Sequence, residues 1–295
     1  LWSKFMSFQN PKYPIEPQKS LDYLLIGHIT ADLTEDGEHL GGTAAFSGLT
    51  GHALGLNTGV ITSCSKNFNT DLLDDLWMWK IESKQTTTFK NISDGIHRKQ
   101  YLYQIAEPIT KEDLPNFQHP PGILHLGPVA NEVDPGILED FPTSLKCLTP
   151  QGWFRKRNQA CRVELHPWDG WEKHLPKADA VVISIDDVQK DEELISKMAG
   201  VTPVFAVTEN YLGARVYWNN DARFFSAPEV KYLDDTGAGD IFAAAFFYRY
   251  YMTRDPWEAG RFAVLLASWS VTHQHLESIP TSQEINKAKI ELMAH

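Results

Sequence analysis

The chain has 295 residues, of which 42% are hydrophobic and 22% charged, enough apolar surface for one sizeable core and too much for a disordered polymer. Its formal net charge of −11 argues against a broad nucleic-acid surface, although a few local donors can still hold a small anion in a cleft. The cysteines Cys64, Cys147 and Cys161 are far apart and form no CxxC pair, which excludes a disulfide scaffold or thiolate zinc cluster and points to a reducing compartment, the cytoplasm being expected.

In chain order, residues 1–20 are punctuated by prolines and read as an irregular arm, with 1–8 lacking the hydrophobic segment of a signal peptide. A strand is expected over 21–29, followed by a polar turn at Thr34-Glu35-Asp36-Gly37. Gly41 and Gly42 then lead into a helix ending near 54, and 56–62 returns to a strand pattern. Residues 69–80 have helical spacing. Residues 86–92 and 98–105 read as extended, joined by a turn at Ser93-Asp94-Gly95. With 30–40 they would form a small β-rich lid over the main sheet. Buried strands are expected at 123–126, 181–185 and 204–208, with a helix at 192–198. The last third reads as helices at 239–252, 256–272 and 283–293, the final one capped by Thr281 or Ser282. The apolar stretches 241–247 and 262–269 are too short to span a bilayer. Alternation of strand and helix predicts a single α/β domain over 21–295.

The strongest chemical signal is Asp235-Thr236-Gly237-Ala238-Gly239-Asp240, set directly before an apolar helix. Helix-start amides and the positive end of the helix dipole suit phosphate oxygens. Glycines allow close approach, and Asp240 is a carboxylate able to accept a proton from an attacking alcohol. The same residues also read as a glycine turn capping a buried helix. Neither GxxxxGK[ST] nor GxGxxG occurs. The Thr272-His273-Gln274-His275 segment is expected to be a solvent-facing or capping pair rather than a metal site.

The Asp235–Asp240 run, with 27–32, Gly41 to Ala45 and the late segment 267–272 in the same order, resembles the PfkB, or ribokinase-like, carbohydrate kinases. The resemblance implies a three-layer α/β/α domain with a small β-rich lid, magnesium and ATP as cofactors with room for a monovalent cation, and transfer to a hydroxyl of a polyol, sugar or nucleoside. Asp240 would then be the catalytic base and Gly237, Ala238 and Gly239 the backbone anion hole. Asp235 and Thr236 would border the phosphates, with a capping or turn role for each left open. Ser184 and Asp187 stand where related kinases carry Asn-x-x-Glu, and Asp187 would order the water around magnesium. Thr208 and Gly213 would lie on the nucleotide side, with Asn210 replacing a usual glycine.

On the acceptor side the resemblance implies Asp32, Gly41 and Gly42. Glu132, after the strand ending at Gly127-Pro128, would read acceptor hydroxyls or cap a local turn. Arg155 would organise the acceptor or the transferring phosphate or belong to a surface basic patch with Lys156 and Arg157. Phe46 replaces the asparagine common in ribokinases. The runs Gly41 to Phe46, Thr86-Thr87-Thr88-Phe89 and Thr149-Pro150-Gln151-Gly152 are similar to the family's myo-inositol kinases. A nucleoside kinase and a catalytically weak nucleotide- or metabolite-binding protein are the alternatives. The resemblance is compatible with a homodimer and includes neither a nucleic-acid nor a membrane partner.

Overall fold

The computed structural model describes residues 20–35, 37–93 and 98–293. The expected arm lies almost wholly outside the described residues, as do Asp36 of the first turn and Asp94 and Gly95 of the second. In chain order, β1 (Tyr23–Ile26) leads to the hairpin β2 (Thr30–Thr34) and β3 (Gly37–Gly41), then α1 (Thr43–Ala53) and β4 (Thr58–Ser65). Next come β5 (Trp77–Ser83), β6 (Thr87–Ser93), β7 (Arg98–Gln104), β8 (Ile123–Leu126) and β9 (Leu145–Leu148). A short ribbon, β10 (Arg155–Arg157) and β11 (Val163–Leu165), precedes α2 (Trp171–His174), β12 (Ala180–Ser184), α3 (Glu192–Val201) and β13 (Val204–Thr208). The chain ends with β14 (Gly213–Trp218), β15 (Asp221–Ser226), α4 (Ala238–Thr253), α5 (Pro256–Ser270) and α6 (Ser282–Met293).

The main sheet has nine strands in the order β15-β14-β13-β12-β9-β8-β1-β4-β5. It is parallel from β13 through to β5 and antiparallel over β13, β14 and β15. Successive residues of a strand point to opposite faces, and both faces are buried. Tyr23 and Leu25 enter one apolar layer with α1, α4, α5 and α6, while Leu24 and Ile26 enter the other with α2 and α3. The three layers α/β/α follow from that alternation. A separate four-stranded sheet, β3-β2-β6-β7, forms the lid, its inner face closed by Phe89 and Leu102 against Val129.

The stretch Ile241 to Phe247 of α4 is apolar all round because it is enclosed: each of its residues is no more than 2% exposed. Each phenylalanine buried there contributes about 1.5–3 kcal/mol. Among the described residues no helix is long and apolar enough to cross a membrane.

The helix expected over 69–80 is not formed. Leu72, part of its supposed apolar stripe, is 66% exposed, and only a single 3-10 turn, Asp71–Leu73, precedes strand β5. Trp77 and Met78 instead pair in parallel with Gly59 and Val60 of β4, which buries one on each face of the sheet. Strand β9 went unread because it is four residues long and includes Lys146. The β14–β15 hairpin carried a usable signal: Asn219 and Asn220 both have positive φ, 50° and 62°, the requirement of a tight two-residue β-hairpin turn.

Candidate active site

The strands β1, β8, β9, β12 and β13 all finish at one edge of the sheet, where loops of a parallel α/β fold collect ligands. The turn before α4 meets that edge. Gly237, at φ 81°, caps α4 in the left-handed conformation, and a Cβ there would stand 2.1 Å from Cδ1 of Phe46. Phe46 is 2% exposed, so it floors the turn from α1. The Ala238 amide donates to the Asp235 carbonyl at 3.1 Å. This corrects the expectation that all three turn amides are offered to an anion; Gly237 and Gly239 are the remaining candidates.

Asp240 lies in the first turn of α4. Burial pushes its carboxyl up to about 6, opposed by a hydrogen bond from the Thr43 side chain and by Arg155, and reinforced by Asp32 and Asp187. Five side chains from separate parts of the sequence therefore share one electrostatic neighbourhood. The Ser47 hydroxyl also donates to the Asp240 carbonyl at 3.0 Å, tying α1 to α4. Thr43 was not anticipated from sequence; its signal is its place at the start of α1, directly after Gly41-Gly42.

Asp32 stands on β2, where the Thr30 hydroxyl donates to its Oδ1 at 2.8 Å. Gly41 on β3 is glycine because any Cβ would fall 2.2 Å from Asp32 Oδ2. Gly42 has φ 86°, and a Cβ on it would meet the His28 carbonyl at 2.6 Å. These two glycines let the lid hairpin close around the Asp32 carboxylate. Arg155 opens β10 and borders a cavity of about 250 Å³ shared with Leu102, Ile105, Val129 and Lys156.

Glu132 departs from its expected acceptor role. It is 3% exposed, and its carboxylate accepts the amides of His28 at 3.1 Å, Val129 at 3.0 Å and Ala130 at 2.7 Å. A buried carboxylate surrounded by backbone donors is a loop clamp. It joins the end of β1 to the end of β8. His28, itself buried, bonds through its ring to the Thr87 hydroxyl at 2.7 Å and the Glu107 carbonyl at 3.0 Å, so the hinge of the lid hangs on this one cluster.

On the other side of the site, Ser184 and Asp187 form a closed turn. The Ser184 amide donates to Asp187 Oδ2 at 2.9 Å and the Asp186 amide to Ser184 Oγ at 3.2 Å. Burial raises the Asp187 pKa, against Arg155, the Ser184 amide and Gln151. Thr208 turns its hydroxyl to the Ile183 carbonyl at 3.3 Å. Gly213 has a packing reason of its own: at φ 125°, a Cβ would lie 2.0 Å from the Phe225 carbonyl. Asn210, at φ 53°, donates to Asp186 Oδ2 at 3.1 Å.

The cap of the phosphate-side turn is Asp234, which sequence reasoning passed over in favour of Asp235. Asp234 Oδ1 accepts the Thr236 amide at 3.0 Å and the Thr236 hydroxyl at 2.7 Å, while Oδ2 accepts the His275 amide at 3.0 Å. Partial burial opposes ionisation, yet these donors hold the Asp234 carboxyl below its usual range. Thr236 thus takes the turn-stabilising role. The only available signal was the doubled aspartate.

Residues 175–282 match the family model described as pfkB family carbohydrate kinase. No curated protein sequence matches the chain. Among solved structures, the chain is similar to a pyrophosphate-dependent kinase of the ribokinase family complexed with a pyrophosphate analog and myo-inositol, at 20% identity and TM-score 0.72, covering 87% of this chain and 98% of that one. It is similar to the nucleoside kinase of Methanocaldococcus jannaschii at 18% identity and TM-score 0.70, covering 94% and 99%. It is also similar to the ribokinase of Thermotoga maritima at 18% identity and TM-score 0.71, covering 92% and 99%. The carboxy-terminal part of the chain, residues 175–282, thus matches the pfkB carbohydrate kinase model, and the described residues share the three-layer fold of ribokinase structures.

Proposed function

We propose that this chain is a phosphotransferase that moves the γ-phosphoryl group of ATP to a hydroxyl of a small cyclic polyol or sugar, with myo-inositol the first candidate. One observation carries the reading: Asp240, its carboxyl raised to about 6, lies in the first turn of α4 in the electrostatic neighbourhood of Asp32 and Arg155. A carboxylate whose pKa approaches neutrality is a better proton acceptor than an ordinary aspartate and still ionised at pH 7. Asp32 would hold the acceptor hydroxyls, Arg155 would orient the acceptor or the transferring group, and the Gly237 and Gly239 amides would meet the charge developing on the phosphoryl oxygens.

Among the described residues no group of three or more His, Cys, Asp or Glu side chains forms a metal cage. Magnesium would arrive with the donor phosphates and keep several waters, with Asp187 the carboxylate to hold its water shell. Magnesium would supply neutralisation of the phosphate charge. Likeness to pyrophosphate-dependent kinases supports pyrophosphate as a second donor to test, and likeness to a nucleoside kinase supports nucleosides as the second acceptor class.

The test crosses ATP and pyrophosphate with myo-inositol, hexoses and nucleosides, with products identified by mass and position of the phosphate. A phosphorylated polyol formed from ATP by the parent chain and lost in Asp240→Asn supports the proposal. Transfer to nucleosides alone overturns the acceptor, transfer from pyrophosphate alone overturns the donor, and binding without transfer to any acceptor overturns the enzyme.

A further inference from the structure

Two histidines far apart in the chain, one on the lid and one beyond α5, lie face to face. His39 of β3 and His275 have ring centroids 4.6 Å apart and planes within 4° of parallel. His39 pairs directly with Asp32 across β2 and β3, and directly opposed residues of an antiparallel pair share one face of the sheet. The stacked ring of the lid therefore belongs to the same face as the carboxylate assigned to the acceptor. His275 opens the 3-10 turn His275–Ser278 beyond α5.

The backbone of His275 has φ 45°, a left-handed conformation that a non-glycine residue keeps only where its surroundings enforce it. Those surroundings are specific. Its amide is held by Asp234 Oδ2 at 3.0 Å, its carbonyl accepts the Ser278 hydroxyl, and its ring is covered by His39. The other oxygen of Asp234 holds the Thr236 amide and hydroxyl. A continuous path of contacts thus runs from the lid ring to the His275 ring, through its amide to Asp234, and on to Thr236 beside Gly237. None of these residues belongs to the nine-stranded sheet.

We propose that the His39–His275 stack is a clasp that couples closure of the lid to the order of the phosphate-side turn, so that the acceptor wall and the anion-binding amides are set together. Both histidines are positioning residues. The structural coupling stands without any assumption about chemistry; its consequence for turnover rests on the kinase reading above.

Spatial continuity alone does not establish coupling, so the decisive measurement is hydrogen exchange by mass spectrometry on the ligand-free full chain. The variants are His39→Ala, His39→Phe and His275→Asn, asparagine being chosen because it tolerates the left-handed backbone. Exchange in β1 and β8 should stay unchanged, which confirms an intact core. In His39→Ala and His275→Asn, peptides over 37–41 and over 234–240 should both exchange about 5-fold faster or more, the lower end of ordinary coupling between sites. His39→Phe, which restores a planar ring, should return both segments to the parent rate. If His39→Ala loosens 37–41 but leaves 234–240 at the parent rate, the coupling is overturned.

In turnover, His39→Ala should raise the acceptor KM and lower kcat, each about 5-fold, because the acceptor wall and the transition-state amides lose order together, and His39→Phe should restore both. An unchanged KM in His39→Ala would overturn the functional half of the proposal. Absence of transfer in the parent chain would instead overturn the kinase reading and leave the exchange result intact.

Discussion

The ring of Phe46 lies against Gly237, close enough that a Cβ on the glycine would sit 2.1 Å from Cδ1 of the ring. The phenylalanine that departs from the ribokinase pattern is therefore the floor of the turn before α4. Gly237→Ala should lower stability by about 2 kcal/mol or more, since it combines a core clash with a left-handed backbone. Phe46→Ala alone should cost about 3–5 kcal/mol as a core truncation, but in that background the further cost of Gly237→Ala should fall to the backbone penalty of about 1 kcal/mol. A double-mutant cycle by chemical denaturation reads this coupling, and purely additive effects would show that the ring and the turn are independent.

Asp240 combines catalytic exposure with an unfavourable charge. Asp240→Asn should lower kcat by about 10²–10⁴-fold, the usual worth of a general base. The same substitution should stabilise the protein at neutral pH. The folded carboxyl titrates near 6 against an ordinary 3.8, so the native state binds more protons than the unfolded one between those values. Stability from this group is present below pH 4 and is lost as pH rises through 6. Allowing for partial exposure, Asp240→Asn should gain up to about 2 kcal/mol at pH 7.5 and almost nothing at pH 3.5. Thermal melts at the two pH values check the sign.

The same titration governs turnover. The specificity constant kcat/KM, which reports the ligand-free enzyme, should fall about tenfold per pH unit below about 6, because the protonated carboxyl cannot accept the hydroxyl proton. A pH–rate profile that stays flat down to pH 4.5 would remove Asp240 from the role of base.

Glu132 offers a test between clamp and acceptor contact. Replacing its charged bonds to three backbone amides by Glu132→Gln should cost about 1–3 kcal/mol of stability. The order of preference among acceptors should stay the same. A changed acceptor order at unchanged melting temperature would return Glu132 to the acceptor pocket.

Asp234 holds the phosphate-side turn through Thr236 and His275. Asp234→Ala should cost about 1 kcal/mol at pH 7, reduced by its partial exposure. The folded pKa of Asp234 is depressed, so its contribution is present above the ordinary aspartate range and is lost as pH falls through the folded value. Melting curves of parent and variant should therefore converge in acid.

Much of the architecture was legible in local patterns. Strand β8 at Ile123–Leu126 and strand β13 at Val204–Thr208 coincide with the apolar runs that announced them, because a strand buried on both faces is mostly apolar; the one polar residue inside β8, His125, is held by the Tyr23 and Thr149 hydroxyls. The turn before α4 was legible for a similar reason: glycine, aspartate and a following apolar run are properties of neighbouring residues. Other features depend on residues far apart in the chain. Leu72 looks like part of a helical stripe until the sheet claims Trp77 as an edge strand.

The amino-acid sequence by itself determined the alternating α/β architecture, the apolar stretch of α4 and the presence of a phosphate-suited turn ending in Asp240. Tertiary structure decided what its carboxylates do. Glu132 became a clamp because three backbone amides, one of them 104 residues away, reached it first. Asp234 became the cap because the His275 amide folded back onto it. Asp240 acquired a raised pKa because burial removed its water while Asp32 and Asp187 came near. Burial, charge and hydrogen-bond partners are set by groups that meet only in the folded chain, and local sequence holds no record of those meetings.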